Sequence, residues 1–373
     1  MGSRSERAPG PGWVRRSRTL ERARASVGCV QVDRRVVVPT LIVATGDGIF
    51  IVRPADGSSV EVRLQGKPAE AIAVDGADPK RVYVGTWGQG LWRSLDAGRT
   101  WERSGESIPH QDVTAVAVEK AANRRPGAIY VGTEPSRLSR SDDGGETWRM
   151  MDSLLELPSA DSWSFPPKPD THHVRWIETD PAAAEKLYVA IEAGALLRSD
   201  DGGETWHDRV DGGPYDTHTA ATHPGAEGRV YAAAGDGYFE SRDGGLTWSR
   251  PMQGLAHRYL VSVAVDAGDA ETVIVSAAPG PHVAYRPRNA ESYVYRKMSG
   301  DGFQQVTEGL PSGDGVVASR LAAHPTDAGV LYAVNNRGLF VTKDAGNRWR
   351  QVDVDWPEGA FAHGVRGLVA FQE

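Results

Sequence analysis

Ser199-Asp200-Asp201-Gly202-Gly203-Glu204-Thr205-Trp206 is the stretch on which the fold turns. Its skeleton is Ser or Thr, any residue, Asp, any residue, Gly, and Trp three positions later. The skeleton recurs at Ser94-Asp96-Gly98-Trp101, Ser141-Asp143-Gly145-Trp148, Ser241-Asp243-Gly245-Trp248 and Thr342-Asp344-Gly346-Trp349. Asp and Ser side chains hydrogen-bond nearby amides and Gly supplies positive φ, so each copy predicts a tight hairpin turn. The Trp opens the next strand with a large apolar surface to bury. Aspartates repeated in five equivalent turns are read as scaffold, not as catalysts.

Successive Trp residues of these copies fall 47, 58, 42 and 101 positions apart. A degenerate copy, Ser299-Asp301-Gly302-Phe303, fits inside the long gap, and another, Pro54-Asp56-Gly57, precedes the first full one. Seven units at this spacing suit four-stranded blades. Each turn follows a strand pair: Ala71-Ile72-Ala73-Val74 and Arg81-Val82-Tyr83-Val84 alternate with period two, then Gly90-Leu91-Trp92-Arg93 enters the turn. The first unit starts at its second strand, Leu41-Ile42-Val43-Ala44-Thr45, while Val365-Arg366-Gly367-Leu368-Val369-Ala370-Phe371 follows the last turn. The expected fold is therefore all-β: a seven-bladed β-propeller whose C-terminal strand closes blade one and removes the open sheet edges.

The repeat resembles the Asp-box, or BNR, repeat over roughly residues 41 to 371. That repeat occurs in sialidases, xyloglucan-cleaving glycoside hydrolases, sortilin-type receptors and a photosystem assembly factor. The resemblance implies the fold, and the scaffold carries unrelated activities. Sialidases place an Arg-Ile-Pro motif in an early blade; only Arg53-Pro54 and Arg286-Pro287 echo it here, so a sialidase site does not transfer. The xyloglucan-cleaving enzymes enclose a cleft between two propellers, whereas this chain has material for one.

Of 373 residues, 40% are hydrophobic and 24% charged, with a net charge of −7. That balance speaks against a nucleic-acid partner. Cys29 is the single cysteine, so no intramolecular disulfide or cysteine-rich metal centre is expected. No apolar run suits a leader or a membrane span, and the expected location is cytoplasmic. Residues 1–30, with seven arginines and Pro9-Gly10-Pro11-Gly12, read as a disordered basic arm. Residues 31–373 read as one propeller.

The loops opposite the Asp-box turns vary in length, which is where a rigid scaffold usually carries binding residues. The longest, 151–171, holds Trp163, Phe165, Pro166, Pro167 and Pro169 and is expected to wall a pocket at that face. Aligning the inner strands on Asp75, Glu119, Asp180, His223, Asp266 and His324 places Glu70, Thr114, Arg175 and His218 at one level of the channel mouth. Asp112, His173, Asp216 and Tyr259 fall two residues further up, on the same strand face. His110, His172, His257, Arg258 and His363 lie further out, and Arg366 comes from the closing strand. His223-Pro224 and His324-Pro325 read as turn caps at the Asp-box end. Trp176, Glu178 and Arg320 fall on the opposite parity, expected between blades.

Three readings of this polar ring stay open. It is a hydrated channel; or it is a small-molecule or glycan pocket; or it is a metal site built from His173, His218, His110 or His257 with a carboxylate. In a pocket, Trp87, Trp163 and Tyr259 would stack on the ligand, Arg175 or Arg366 would meet an anionic group, and His257, Arg258 and His363 would line the rim. Catalysis would use His218 or His173 as acid or base, held by Asp216, Asp112 or Glu70. Glycoside hydrolysis needs two carboxyl groups roughly 5–9.5 Å apart, and Glu70, Asp112, Asp216 and Glu192 are the candidates. The functional expectation is a hydrolase or lyase acting on a small polar or glycosidic substrate, with a non-catalytic ligand-binding or protein-assembly module as the alternative.

Overall fold

The computed structural model describes residues 39–53, 59–120 and 126–373. The expected basic arm, Cys29 and the Pro54-Asp56-Gly57 copy lie outside the described residues. Seven antiparallel sheets follow one another along the chain. Inner strands of blades two to seven are Ala69–Val74, Asp112–Val118, Val174–Thr179, Thr217–Thr222, Tyr259–Asp266 and Arg320–Ala323. Each pairs with a largely buried second strand, such as Val82–Thr86 or Leu187–Ile191, which pairs in turn with the strand leading into the repeat turn. Blade one takes its inner strand from the C-terminus: Val365–Phe371 pairs with Thr40–Thr45, Leu41 opposite Ala370. The chain is the seven-bladed propeller expected, closed as expected.

The repeat turns behave as their chemistry predicts. Ser94 Oγ donates to Asp96 Oδ1 (2.8 Å) and accepts from Gly98 N (2.8 Å), while Asp96 accepts from Thr100 N (2.8 Å). Trp101 Nε1 donates back to Gly98 O (2.9 Å). The Ser or Thr bond to Asp recurs at Asp143, Asp201, Asp243 and Asp344, and the Trp bond at Trp148 and Trp349. The degenerate copy around Asp301 joins Glu291–Lys297 to Gln304–Gln305 in blade six, with Phe303 buried in place of the Trp. Tyrosines of the second strands tie neighbouring blades. Tyr83 is fully buried and donates to Gly144 O in the next turn (3.1 Å). Each such ring contributes about 2–3 kcal/mol of burial.

Two features position the site. The second strands end beside the following blade: a Cβ on Gly132 would stand 2.4 Å from Val174 Cγ1. Where the blades crowd in this way, the inner strands bulge, with register shifts at Ala69/Ala71, Val113/Ala115, Val174/Trp176, Thr217/Thr219 and Leu260/Ser262. A bulge turns consecutive side chains toward the same side. The long segment 151–171 is packed rather than loose. It folds into 3-10 turns at Asp152–Glu156 and Ala160–Ser162, and Met151, Leu154 and Trp163 join a core with Leu187 and Val189.

Candidate functional site

Opposite the Asp-box turns, the connections of blades four, five and six converge on one carboxylate. Glu192 follows the second strand of blade four, and His173 precedes the inner strand of the same blade. His173 Nε2–H donates to Glu192 Oε2 (2.8 Å), and Arg175 Nε lies 3.0 Å from the same oxygen. Asp216 and His218 begin blade five. Ala193 N donates to Asp216 Oδ1 (3.1 Å). His218 is fully buried, and its Nε2 faces Asp216 Oδ2 at 3.7 Å and Glu192 Oε1 at 3.9 Å.

The other ring nitrogen fixes the tautomer of His218. Nδ1 lies 2.5 Å from Leu260 O, a group that only accepts, so Nδ1 carries the proton. Burial keeps the imidazole neutral by pushing its pKa down, against the pull of Glu192 and Asp216. Nε2 therefore presents a lone pair toward two carboxylates. The Tyr259 hydroxyl stands 3.3 Å from Nε2 and 3.0 Å from the Tyr285 hydroxyl. Burial, reinforced by Tyr285, raises the Tyr259 pKa far above its usual value, so it stays protonated.

The two carboxylates are driven apart. Burial works against ionisation of Glu192, yet the His173 hydrogen bond and Arg175 outweigh it and hold the pKa at about 2. Burial raises that of Asp216, reinforced by Glu192. The donor atoms of Glu192, Asp216 and His218 all lie within 4.8 Å of one another. Ligand distances run about 2.0–2.6 Å, so the trio could hold one divalent cation.

A family model for the BNR/Asp-box repeat matches residues 197–208. The chain is a BNR/Asp-box-bearing seven-bladed β-propeller. Among solved structures, this Asp-box propeller is similar to a GH74 enzyme from Niastella koreensis, with a TM-score of 0.64 and 16% identity over 84% of this chain and 52% of that one. It is similar to the GH74 xyloglucanase from Xanthomonas campestris, with a TM-score of 0.63 and 18% identity over 90% and 52%. It also matches YCF48 bound to D1 peptide, with a TM-score of 0.54 and 18% identity over 77% and 82%. At these identities the likeness is one of fold. The Asp-box propeller spans about half the length of the GH74 enzymes it matches. No curated protein sequence matches it.

Of the residues singled out from sequence, His173, Arg175, Asp216, His218 and Tyr259 meet around Glu192. The others do not. Glu70 and Arg366 face each other in the axial channel, 3.6 Å apart. Asp112 accepts from Gly88 N (2.7 Å) and serves a loop. Trp87 lies at the rim under Lys168, whose ammonium sits 4.5 Å from the ring centre. Trp163 is no stacking platform: it is 5% exposed, packed edge-on to His172. Phe165 takes the wall position instead, edge-on to His173 with ring centres 4.8 Å apart.

The expected histidine cluster shrinks to His173 and His218, because the rings of His172 and His257 are taken up by local contacts. His257 stacks on Tyr293 (4.2 Å), Arg258 is exposed, and His363 lies in a groove beside Phe50 and Pro357. His223 and His324 cap turns as expected, accepting from Gly225 N and Asp327 N. Glu178 and Trp176 bridge blades as expected, Glu178 accepting from Thr222 Oγ1 (2.8 Å). Arg320 also reaches the neighbouring blade, with Nη1 3.4 Å from Val261 O of blade six, and it lines the channel as well.

Proposed function

We propose that the channel mouth is a divalent-cation site that serves hydrolysis or elimination on a small polar substrate. What carries the reading is His218: its Nδ1–H is fixed by Leu260 O, and its Nε2 lone pair is aimed between Glu192 and Asp216. The lone pair meets the Tyr259 hydroxyl at 3.3 Å, and a cation among the three groups would draw both carboxylates and the imidazole onto itself. One nitrogen and two oxygen donors, with the second ring nitrogen hydrogen-bonded to backbone, match the make-up of many protein metal sites.

A cation there would polarise a carbonyl or bring a bound water's pKa toward ~7. The chain's own groups supply the rest. Glu192 stays ionised between His173 and Arg175, and Tyr259 keeps a proton beside His218. Phe165 walls one side, edge-on to His173. The partner on this reading is a small molecule, and the net charge of −7 disfavours nucleic acid.

The test is titration of EDTA-stripped protein with Mn²⁺ and Zn²⁺ by calorimetry, with Asp216→Asn and His218→Gln alongside. One ion per chain, weakened at least tenfold by either change, is expected; a stripped protein that takes up neither ion sinks the metal reading. One observation favours a second reading. The Glu192 and Asp216 carboxyls lie within 4.8 Å, close to the ~5–5.5 Å of retaining glycosidases, with ionisation tendencies already split. That reading predicts metal-independent cleavage of aryl glycosides, lost in Asp216→Asn. Metal uptake and glycoside cleavage both failing would leave a non-catalytic binding or assembly module.

A further inference from the structure

The axial channel below the mouth carries a charge that no ion pair among the described residues balances. Arg175, Arg320 and Arg366 all line it, from blades four, seven and one. Each available carboxylate is taken by a different arginine: Glu192 lies 3.0 Å from Arg175 Nε, and Glu70 lies 3.6 Å from Arg366 Nε. Among the described residues, Arg320 forms no ion pair within 4 Å. Its side chain is 6% exposed, its Nε has no hydrogen-bond partner, and its Nη1 reaches only Val261 O at 3.4 Å. The Tyr285 ring centre is 6.0 Å from its guanidinium carbon.

Burying an unpaired charge is costly, and such a group normally finds a counter-ion. Burial and the neighbouring Arg175 lower the Arg320 pKa to about 10, which leaves it a cation at neutral pH. The walls between the arginines carry hydroxyl groups in a suitable state. Thr219 Oγ1 accepts from Val263 N (3.0 Å) and Ser262 Oγ from Leu321 N (3.1 Å), so the proton of each hydroxyl remains to donate.

We infer that the axial channel binds a small oxyanion, a carboxylate or phosphate group, between Arg320, Arg175 and Arg366 with Thr219 and Ser262 as further donors. A guanidinium fork suits either group, because its N–H bonds lie in one plane and match paired oxygens. The anion supplies the missing charge at Arg320. This site does not rest on the metal reading, since it needs none of the three proposed metal ligands.

Calorimetry of the full chain in EDTA, with inorganic phosphate and separately with succinate, tests the inference. Binding of at least one of them is expected, with a rise in Tm as the ligand concentration increases. Binding of phosphate alone assigns a phosphate group, of succinate alone a carboxylate, and of both an oxyanion site indifferent to the carrier. Arg320→Met should weaken binding at least tenfold, and Arg320→Lys should recover part of it. Arg320→Met should also keep or raise the Tm of the ligand-free protein, because it removes an uncompensated buried charge. Asp216→Asn, which damages the proposed metal site, should leave phosphate or succinate affinity within about twofold. Failure of both anions to bind or to raise Tm overturns the inference, as does affinity unchanged in Arg320→Met.

Discussion

Gly235 stands against Asp216 so closely that no side chain fits between them: a Cβ on Gly235 would lie 2.0 Å from Asp216 Oδ2 and 3.1 Å from the Tyr259 ring. Gly235 N also donates to Asp216 O (2.8 Å), so the backbone holds the residue whose carboxylate the missing side chain makes room for. Gly235→Ala is therefore expected to push the Asp216 carboxylate away from His218 while leaving the blade intact. Metal affinity should fall roughly 10–100-fold, the usual effect of disturbing a ligand's support. Calorimetry beside a far-ultraviolet dichroism melt checks it. An unchanged affinity would remove Asp216 from the ligand set.

The Asp-box turns contain a natural internal comparison. Gly144, Gly202 and Gly244 adopt φ of 80°, 73° and 73°, whereas Ala97 and Ala345 occupy the equivalent positions at 60° and 58°. A Cβ in this region costs roughly 1 kcal/mol, partly returned by the lower entropy of unfolded Ala. Ala97→Gly and Ala345→Gly should each stabilise the fold by about 0.5 kcal/mol, read as a rise in the urea midpoint. Lowered midpoints in both would show that packing of these methyl groups outweighs backbone strain.

Acid should unfasten the turns. Burial opposes ionisation at Asp96 and Asp143, but hydrogen bonds from Thr100 and Thr147 prevail; at Asp243 the Thr247 hydroxyl and amide bonds dominate outright. All three carboxyls fall from the ordinary 3.8 to about 2. A depressed folded-state value means that the unfolded chain takes up protons first. The contribution is thus complete above about pH 5 and lost as pH falls from 3.8 through 2. The Tm should drop steeply across that window, and Asp143→Asn should start lower and slope less. Equal slopes for wild type and variant would exclude Asp143 as a source.

Closure makes a sharper demand. Val365–Phe371 is the inner partner of Thr40–Thr45, and Glu373 beyond it binds Arg53 and Arg99. Removing residues 365–373 leaves an apolar strand edge open, a template for aggregation. The truncated chain should elute as aggregate in gel filtration, and a synthetic 365–373 peptide added during refolding should recover monomer. A truncated chain that stays monomeric with an unchanged Tm would refute this account of closure.

The fold was legible because its signal is local and repeated. A Ser, an Asp, a Gly and a Trp at fixed offsets build the turn wherever they occur, and the spacing of copies counts the blades. The offset between a first unit lacking its inner strand and a C-terminal strand without a blade was enough to predict closure. Half of the site was legible for a related reason. Strand starts can be aligned on the turns below them, which brought His173, Arg175, Asp216, His218 and Tyr259 to two adjacent levels of one strand face.

The rest depended on contacts between blades. Glu192 sits in the connection after a second strand, so aligning inner strands alone left it outside the ring; aligning those connections as well would have shown it beside Asp216. Tyr285 comes from an irregular loop with no counterpart in other blades. Arg320 reaches blade six as its parity predicts, but its place in the channel was not legible, because it heads its strand and its long side chain extends beyond that end. The sequence by itself determined the propeller, its closure and the face on which to look. Only the tertiary structure decided which charges meet, because pairing across an axis depends on the angle at which each blade presents its strand.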